Sequence, residues 1–252
     1  MKHIVITGAS SGLGAALAEI YAAPDVIVSL QGRNTERLNA VAERVERQGA
    51  RTTIKAVDVT NAAGMATWLA SCEQLQPIDL LIANAGISAG SGSGFETEAQ
   101  ARAIFATNVT GVLNTLHPVI PMMRERRRGQ IAIMSSLAGL VALPGAPAYC
   151  ASKAAVRHYG EALRRQLRPC GIKVNVICPG FVKTPMTDVN PFPMPFLMSP
   201  DRAAAIIKRD LAADRARIAF PWPMAFGVGL VALLPNALVD WAVSRFPDKP
   251  AL

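Results

Sequence analysis

The feature that most constrains this chain is a rhythm. Short runs of apolar, often β-branched residues each give way to a longer stretch with helical spacing. The runs at 4–6, 26–30, 52–57, 80–83, 131–134, 173–177 and 216–220 read as strands, and 13–22 and 35–48 as the first two helices. A strand with one face in water alternates apolar and polar residues. These runs are nearly continuous, the pattern of a parallel sheet buried on both faces. The expected fold class is therefore α/β, a doubly wound parallel sheet of about seven strands with helices on both faces. With 252 residues, 51% hydrophobic and 17% charged, the chain has ample apolar surface for one core, which excludes a mainly disordered protein. One domain over residues 1–220 is expected, followed by an apolar helical extension, 221–252.

The first strand runs into Thr7-Gly8-Ala9-Ser10-Ser11-Gly12-Leu13-Gly14, and a helix follows. Glycines at a strand-to-helix turn let a diphosphate approach the backbone, and the helix N-terminus offers free N–H groups and a positive dipole end. Gly8, Ser10, Ser11, Gly12, Leu13 and Gly14 are thus candidate cofactor-binding residues, although the G-x-x-x-G-x-G spacing differs from G-x-G-x-x-G. An acidic residue at the end of the second strand would accept from a ribose 2′-OH and favour NAD. This strand instead ends Leu30-Gln31-Gly32-Arg33-Asn34. With no carboxylate there and Arg33 able to fork onto a 2′-phosphate, NADP(H) is the expected cofactor and NAD(H) the lesser one.

Tyr149 and Lys153 are four residues apart, one turn along the same helix face. A phenol of pKa ~10 is a poor proton shuttle at neutral pH, and a nearby ammonium is expected to lower that value. Ser136 follows the strand at 131–134, at the sheet edge where ligands bind in open α/β folds, and can polarise a substrate carbonyl. Asn84-Ala85-Gly86 and Pro179-Gly180 supply turns after two further strands.

In order and spacing, these pieces resemble the classical short-chain dehydrogenases/reductases, the SDR family, over residues 1–215. The matching residues are Thr7-Gly8-x-x-x-Gly12-x-Gly14, Asp58-Val59, Asn84-Ala85-Gly86, Asn108, Ser136, Tyr149-x-x-x-Lys153, Pro179-Gly180 and Thr184. The resemblance implies a Rossmann-type fold. It implies that Tyr149 is the acid/base and that Lys153 lowers its pKa and binds the nicotinamide ribose. It further implies that Ser136 holds the substrate oxygen and that Asn108 supports a proton-relay water. Ser135 is the rival hydroxyl; Ser136, thirteen residues before Tyr149, resembles the family spacing. Asp58 is implied at the adenine amino group with Val59 beside it. Asn84, Ala85 and Gly86 would line the adenosine, and Thr184 with the backbone of Val182 would bind the carboxamide; Asp58 and Thr184 are also possible turn caps. Ala83 stands where many relatives carry a second Asn, and no loss of activity is expected from it. No metal is needed, and His3, His117 and His158 are too scattered to be ligands. The family implies a homodimer or homotetramer. A non-catalytic nucleotide sensor on the same fold is the alternative, and an intact Asn-Ser-Tyr-Lys set argues against it.

Lys+Arg exceed Asp+Glu by 26 to 18, a formal charge of +8. The cluster at 124–128 reads as a solvated helix end, and without interleaved aromatics it gives no case for nucleic acid. Cys72, Cys150, Cys170 and Cys178 form no C-x-x-C pair and read as buried free thiols in a reducing compartment. The apolar run after the first residues is too short for a signal peptide, so a cytoplasmic protein is expected. The loop 88–94 and the segment 181–200 should shape the substrate pocket, and Phe192, Met194, Phe196, Leu197 and Met198 point to a hydrophobic substrate. In the extension, helices at 224–234 and 237–245 are expected, interrupted by Pro235-Asn236. No clean apolar run long enough to span a membrane is present. Trp222 and Trp241, with Arg215, Arg217 and Arg245, suit a membrane surface. A subunit interface or a lid over the pocket accounts for the apolar content as well.

Overall fold

The computed structural model describes residues 1–89, 95–190 and 192–243. Loop residues 90–94, Pro191, and everything after 243, including Arg245, lie outside the described residues. Seven strands form one sheet: β1 (His3–Ile6), β2 (Ile27–Gly32), β3 (Arg51–Ala56), β4 (Leu80–Ala83), β5 (Gly129–Met134), β6 (Ile172–Pro179) and β7 (Arg217–Phe220). Every pairing is parallel and the order is β3-β2-β1-β4-β5-β6-β7. The chain winds outward from β1 through β2 to β3, then returns to the other side of β1 with β4. That reversal opens a crevice at the carboxyl ends of β1 and β4, where such sheets bind ligands.

The continuous apolar runs divide between two cores. Ile4, Ile6, Leu80 and Ile82 point to one face, under α1 (Gly12–Tyr21), α2 (Thr35–Glu46) and, later in the chain, Ile207 and Leu211. Val5, Leu81, Ile131 and Ile133 point to the other, under α3 (Ala62–Leu75). The same face is covered by helices from the second half of the sheet. These are a single π turn at Ala106–Thr110, α5 (Gly111–Leu116), α6 (Val119–Glu125) and the long α7 (Pro147–Leu167), while α4 (Glu98–Phe105), just before the π turn, packs Ile104 in a small cluster with Ala89 and Ala148. Successive strand residues face opposite ways, so both sets must be apolar.

β3 departs from the expected pattern. It is an edge strand, its residues are mostly exposed, and Arg51 and Lys55 blunt its open side. The basic cluster sits at the end of α6. Arg126 is paired with Glu73 and donates to the Ile78 carbonyl, and Arg128 lies 3.2 Å from Asp79. Cys72, Cys150 and Cys178 are buried thiols outside any disulfide among the described residues, but Cys170 is only partly covered, at the end of the short helical turn that leads into β6.

After β6 come a short helix α8 (Pro185–Asp188), an irregular strap rich in proline, and α9 (Pro200–Ala212). The extension forms α10 (Trp222–Val231) and α11 (Asn236–Val243). α10 starts before the expected Met224, because Pro223 suits a first helical turn, and it stops short of Leu234. Among the described residues, no helix is long and apolar enough to cross a membrane.

Candidate active site

A cleft of about 610 Å³ opens at the carboxyl edge of the sheet. The catalytic and cofactor-binding candidates line it except Asn108, which is fully buried, whereas Phe192, Met194, Phe196, Leu197 and Met198, expected to shape the substrate pocket, are not on its lining. Its floor is the glycine turn. Gly8 and Gly12 have φ of +64° and +53°, which L side chains rarely adopt. A Cβ on Gly14 would lie 2.2 Å from the Gly8 carbonyl oxygen, so this turn closes only with glycine there. α1 begins without a side-chain cap and with no acidic residue in its first turn, which leaves its amides and dipole for an anion.

Three side chains hold the turn in shape. Thr7 Oγ1 accepts from the amides of Asn84 (3.0 Å) and Ala85 (3.1 Å), and Asn84 Nδ2 donates to the Thr7 carbonyl at 2.9 Å. Asn84 thus spends its Nδ2 on the backbone of the turn while it lines the cleft beside Ala85 and Gly86. Gln31 Oε1 accepts from the Gly8 amide at 3.1 Å, while its Nε2 donates to the Val57 carbonyl. Asp58 accepts from the Thr60 amide and hydroxyl at 2.8 Å each and lies 3.8 Å from Arg33. It is a turn cap that also faces the cleft. Burial raises its pKa, but the Thr60 bonds and the Arg33 charge outweigh that and hold it below the usual value. Thr184 opens α8, with its amide donating to Thr187 Oγ1 at 2.9 Å, and its side chain abuts Gly12.

At the opposite end, β5, α7 and the π turn bring the chemical groups together. Ser136 leaves β5, accepts from the Ala138 amide at 3.1 Å, and shares a hydrogen bond with the Tyr149 hydroxyl. Ser135, the rival, donates to the Lys153 carbonyl at 2.7 Å and fastens β5 to α7. Lys153 Nζ donates to the Met134 carbonyl at 3.0 Å and lies 5.8 Å from the Tyr149 ring centre. The π turn aims Asn108 inward, where its side chain bonds both backbone groups of Ile87 (2.8 and 2.9 Å) and Ser152 Oγ (3.0 Å). A hydroxyl, a phenol and an ammonium around one end of a nucleotide-shaped cleft can polarise a carbonyl and pass it a proton.

A family model for short chain dehydrogenases matches residues 2–191. The chain belongs to the short-chain dehydrogenase/reductase family. It is 38% identical over 245 residues to an uncharacterised oxidoreductase of Myxococcus xanthus, covering 97% of each chain. A short-chain dehydrogenase of Mycobacterium paratuberculosis, solved bound to NAD, is 25% identical with a TM-score of 0.78, over 86% of this chain and 95% of that one. One from Sphingobium yanoikuyae, solved with NADPH, shares the fold at a TM-score of 0.82 and 24% identity, over 100% of this chain and 99% of that one.

The electrostatics of this SDR correct one expectation. Lys153 was expected to lower the Tyr149 pKa; instead burial pushes the phenol up to about 12, with Ser136 pulling only partly the other way. Helical spacing places Lys153 near the ring and its Nζ donates to the Met134 carbonyl, while desolvation of the phenolate dominates the Tyr149 shift. The same burial pushes Lys153 down to about 8. In the protein without ligand, Tyr149 is a neutral phenol at pH 7, ready to give a proton.

The sequence reading missed Gln31, Arg37, Ser152 and Glu96. Arg37, in the first turn of α2, lines the cleft four residues after Arg33, a proximity that was visible in the sequence. Glu96 Oε2 accepts from the Ala148 amide at 3.1 Å, in the first turn of α7 and next to Tyr149, where a carboxylate also meets the helix dipole. Its other oxygen is buried and has no hydrogen-bond partner among the described residues. Glu96→Ala is expected to lower kcat roughly tenfold through a looser Tyr149, with Glu96→Gln restoring most of it. Steady-state kinetics at saturating cofactor check this; equal kcat for all three proteins would contradict it.

Proposed function

We propose that this SDR is an NADP(H)-dependent reductase that interconverts a carbonyl and a secondary alcohol on a hydrophobic small molecule. The observation that carries the reading is the meeting of Ser136, Tyr149 and Lys153 at one end of the glycine-floored cleft. The glycine floor fits a dinucleotide: side chains are excluded where the diphosphate needs backbone contact, and the α1 amides face it. Gly8, Ser10, Ser11, Gly12, Leu13 and Gly14 would hold the diphosphate. Asp58, Val59, Ala85 and Gly86 would line the adenosine half. Pro179, Gly180, Val182, Thr184 and Lys153 would hold the nicotinamide half. When bound, the nicotinamide supplies the hydride. Ser136 orients the substrate oxygen, Tyr149 gives that oxygen its proton, and the Lys153 ammonium stabilises the phenolate left behind. Asn108, through Ser152 and Ile87, keeps the base of α7 in place for that transfer.

The preference for a 2′-phosphate rests on Arg33, 71% exposed at its side chain, and on Arg37 beside it. The Arg33–Asp58 pair is too long and too exposed to hold the guanidinium back. Replacing both arginines with alanine is expected to raise KM for NADPH about 10–100-fold, the worth of charge-assisted bonds, with little effect on NADH. Equal losses with both cofactors would remove the preference.

The reading of a hydrophobic substrate is supported by the apolar side chains of α8 and the strap after it. Lys183 and Met198 pair their backbones at 2.9 Å, and the Phe181 and Phe192 rings meet edge to face at 6.2 Å. Met186 lines the cleft, and Phe196 and Leu197 are exposed on the strap. Buried free thiols suit the cytoplasm, and assembly through the long helices as a homodimer or homotetramer belongs to the same reading. A panel of hydrophobic ketones and alcohols assayed with both cofactors tests the whole. NADPH binding without turnover of any of them would overturn the catalytic reading.

A further inference from the structure

We propose that the extension is a membrane-surface anchor: α10 lies in the interface of an anionic lipid bilayer and seats the enzyme on it. From Pro221 through Val239 the chain carries no charged residue, and Arg215 and Arg217 just before it are paired with Asp210 and Glu161. α10 is packed on one side only. Met224 and Ala225 dock against Leu137 and Leu140, and Met224 Sδ backs directly onto Gly180, where it would meet an added Cβ at 2.7 Å. On the outer side Trp222, Phe226, Leu230 and Leu233 recur at spacings of four, four and three, one stripe on one face. They are 76%, 63%, 50% and 82% exposed, and Leu238 on α11 continues the apolar surface.

Such a helix is poorly suited to water. It contains Gly227 and Gly229, around which a Cβ would meet nothing, and at ten residues it is too short to be stable by propensity alone. It needs a cover, and its chemistry selects which one. A protein partner would engage a polar rim and hydrogen bonds spread over the patch. The stretch Pro221–Val239 offers only the Trp222 indole and the Asn236 amide as hydrogen-bonding side chains. A bilayer asks for no directional partners and favours an indole at its boundary. The chain's charge of +8 complements anionic headgroups. As neither α10 nor α11 is long enough to cross, attachment is in the plane of one leaflet.

The test is flotation of the full-length protein with vesicles of phosphatidylcholine containing about 30% phosphatidylglycerol, and with phosphatidylcholine alone. The Trp222→Ser/Phe226→Ser/Leu230→Ser variant is run beside the wild type, with light scattering after gel filtration for the oligomeric state and NADPH titration for the fold. The wild type should float with the anionic vesicles. The triple variant should lose roughly tenfold or more in partitioning, while its oligomeric state and NADPH affinity stay unchanged. A wild type left unbound by both vesicles, or a triple variant that floats as the wild type does, overturns the anchor. A variant that changes oligomeric state assigns the stripe to a second copy of the chain and overturns it too.

Discussion

Tyr149→Phe is expected to reduce kcat/KM for carbonyl reduction by about 10²–10⁴-fold, the usual worth of a positioned general acid, while NADPH affinity changes by no more than about twofold. The phenol is held in the cleft by α7 and tied to Ser136, and phenylalanine keeps the ring while removing the one atom that carries the proton. Fluorescence titration of NADPH beside steady-state kinetics separates the two quantities. Retained turnover would assign the proton to another group, and lost binding would mean that the ring itself shapes the cofactor site. The direction of the pKa shift adds a pH dependence. Tyr149, pushed up to about 12, stays protonated through neutral pH, so reduction is not limited by the phenol there. Lys153, pushed down to about 8, loses its charge as pH rises through that value, and with it the stabilisation of the phenolate. Reduction should therefore hold below pH ~8 and decline above it.

The strands were legible because both sheet faces are buried, so nearly every strand residue had to be apolar; β3 escaped that rule as the exposed edge. The glycine turn and the Tyr149–Lys153 pair were legible because their function depends on spacing along one strand, turn or helix. What stayed hidden depends on distance through space. Gln31 reaches Gly8 across the β1–β2 junction, Glu96 reaches α7 from beyond β4, and Ser135 and Ser136 part only when one of them turns toward Lys153. The spacing of Tyr149 and Lys153 also gave the wrong sign for the phenol. It set two groups on one face without saying how much water either keeps, and burial proved the larger effect. In the extension, composition gave the apolar content, but only packing shows that Met224 faces inward and Trp222 outward.

The buried ammonium makes Lys153→Met a prediction with two opposite signs. Activity should fall by a factor comparable to that for Tyr149→Phe, because no charge remains to receive the phenolate. Stability of the ligand-free protein should rise. Lys153 is 3% exposed, and its pKa falls from 10.5 to about 8 on folding, so the folded state binds its proton less well than the unfolded chain. Each pKa unit is worth ~1.4 kcal/mol, which puts the penalty of holding the charged form at about 3 kcal/mol below pH 8. Methionine keeps the unbranched stem and carries no charge. Losing the bond to Met134 O returns about 1 kcal/mol of that gain. A net increase of about 2 kcal/mol at pH 7 corresponds to a Tm several degrees higher for a chain of this size. The sign fixes the pH window. Between pH ~8 and 10.5 the unfolded chain holds more protons than the folded one, so wild-type stability climbs with pH and the advantage of the variant should shrink across that range. Calorimetry at pH 7 and near pH 10 measures both ends. A variant less stable than wild type at pH 7 would mean that the ammonium is a structural bond donor first, whereas a gain in stability with a loss of turnover marks a charge kept in the core for chemistry.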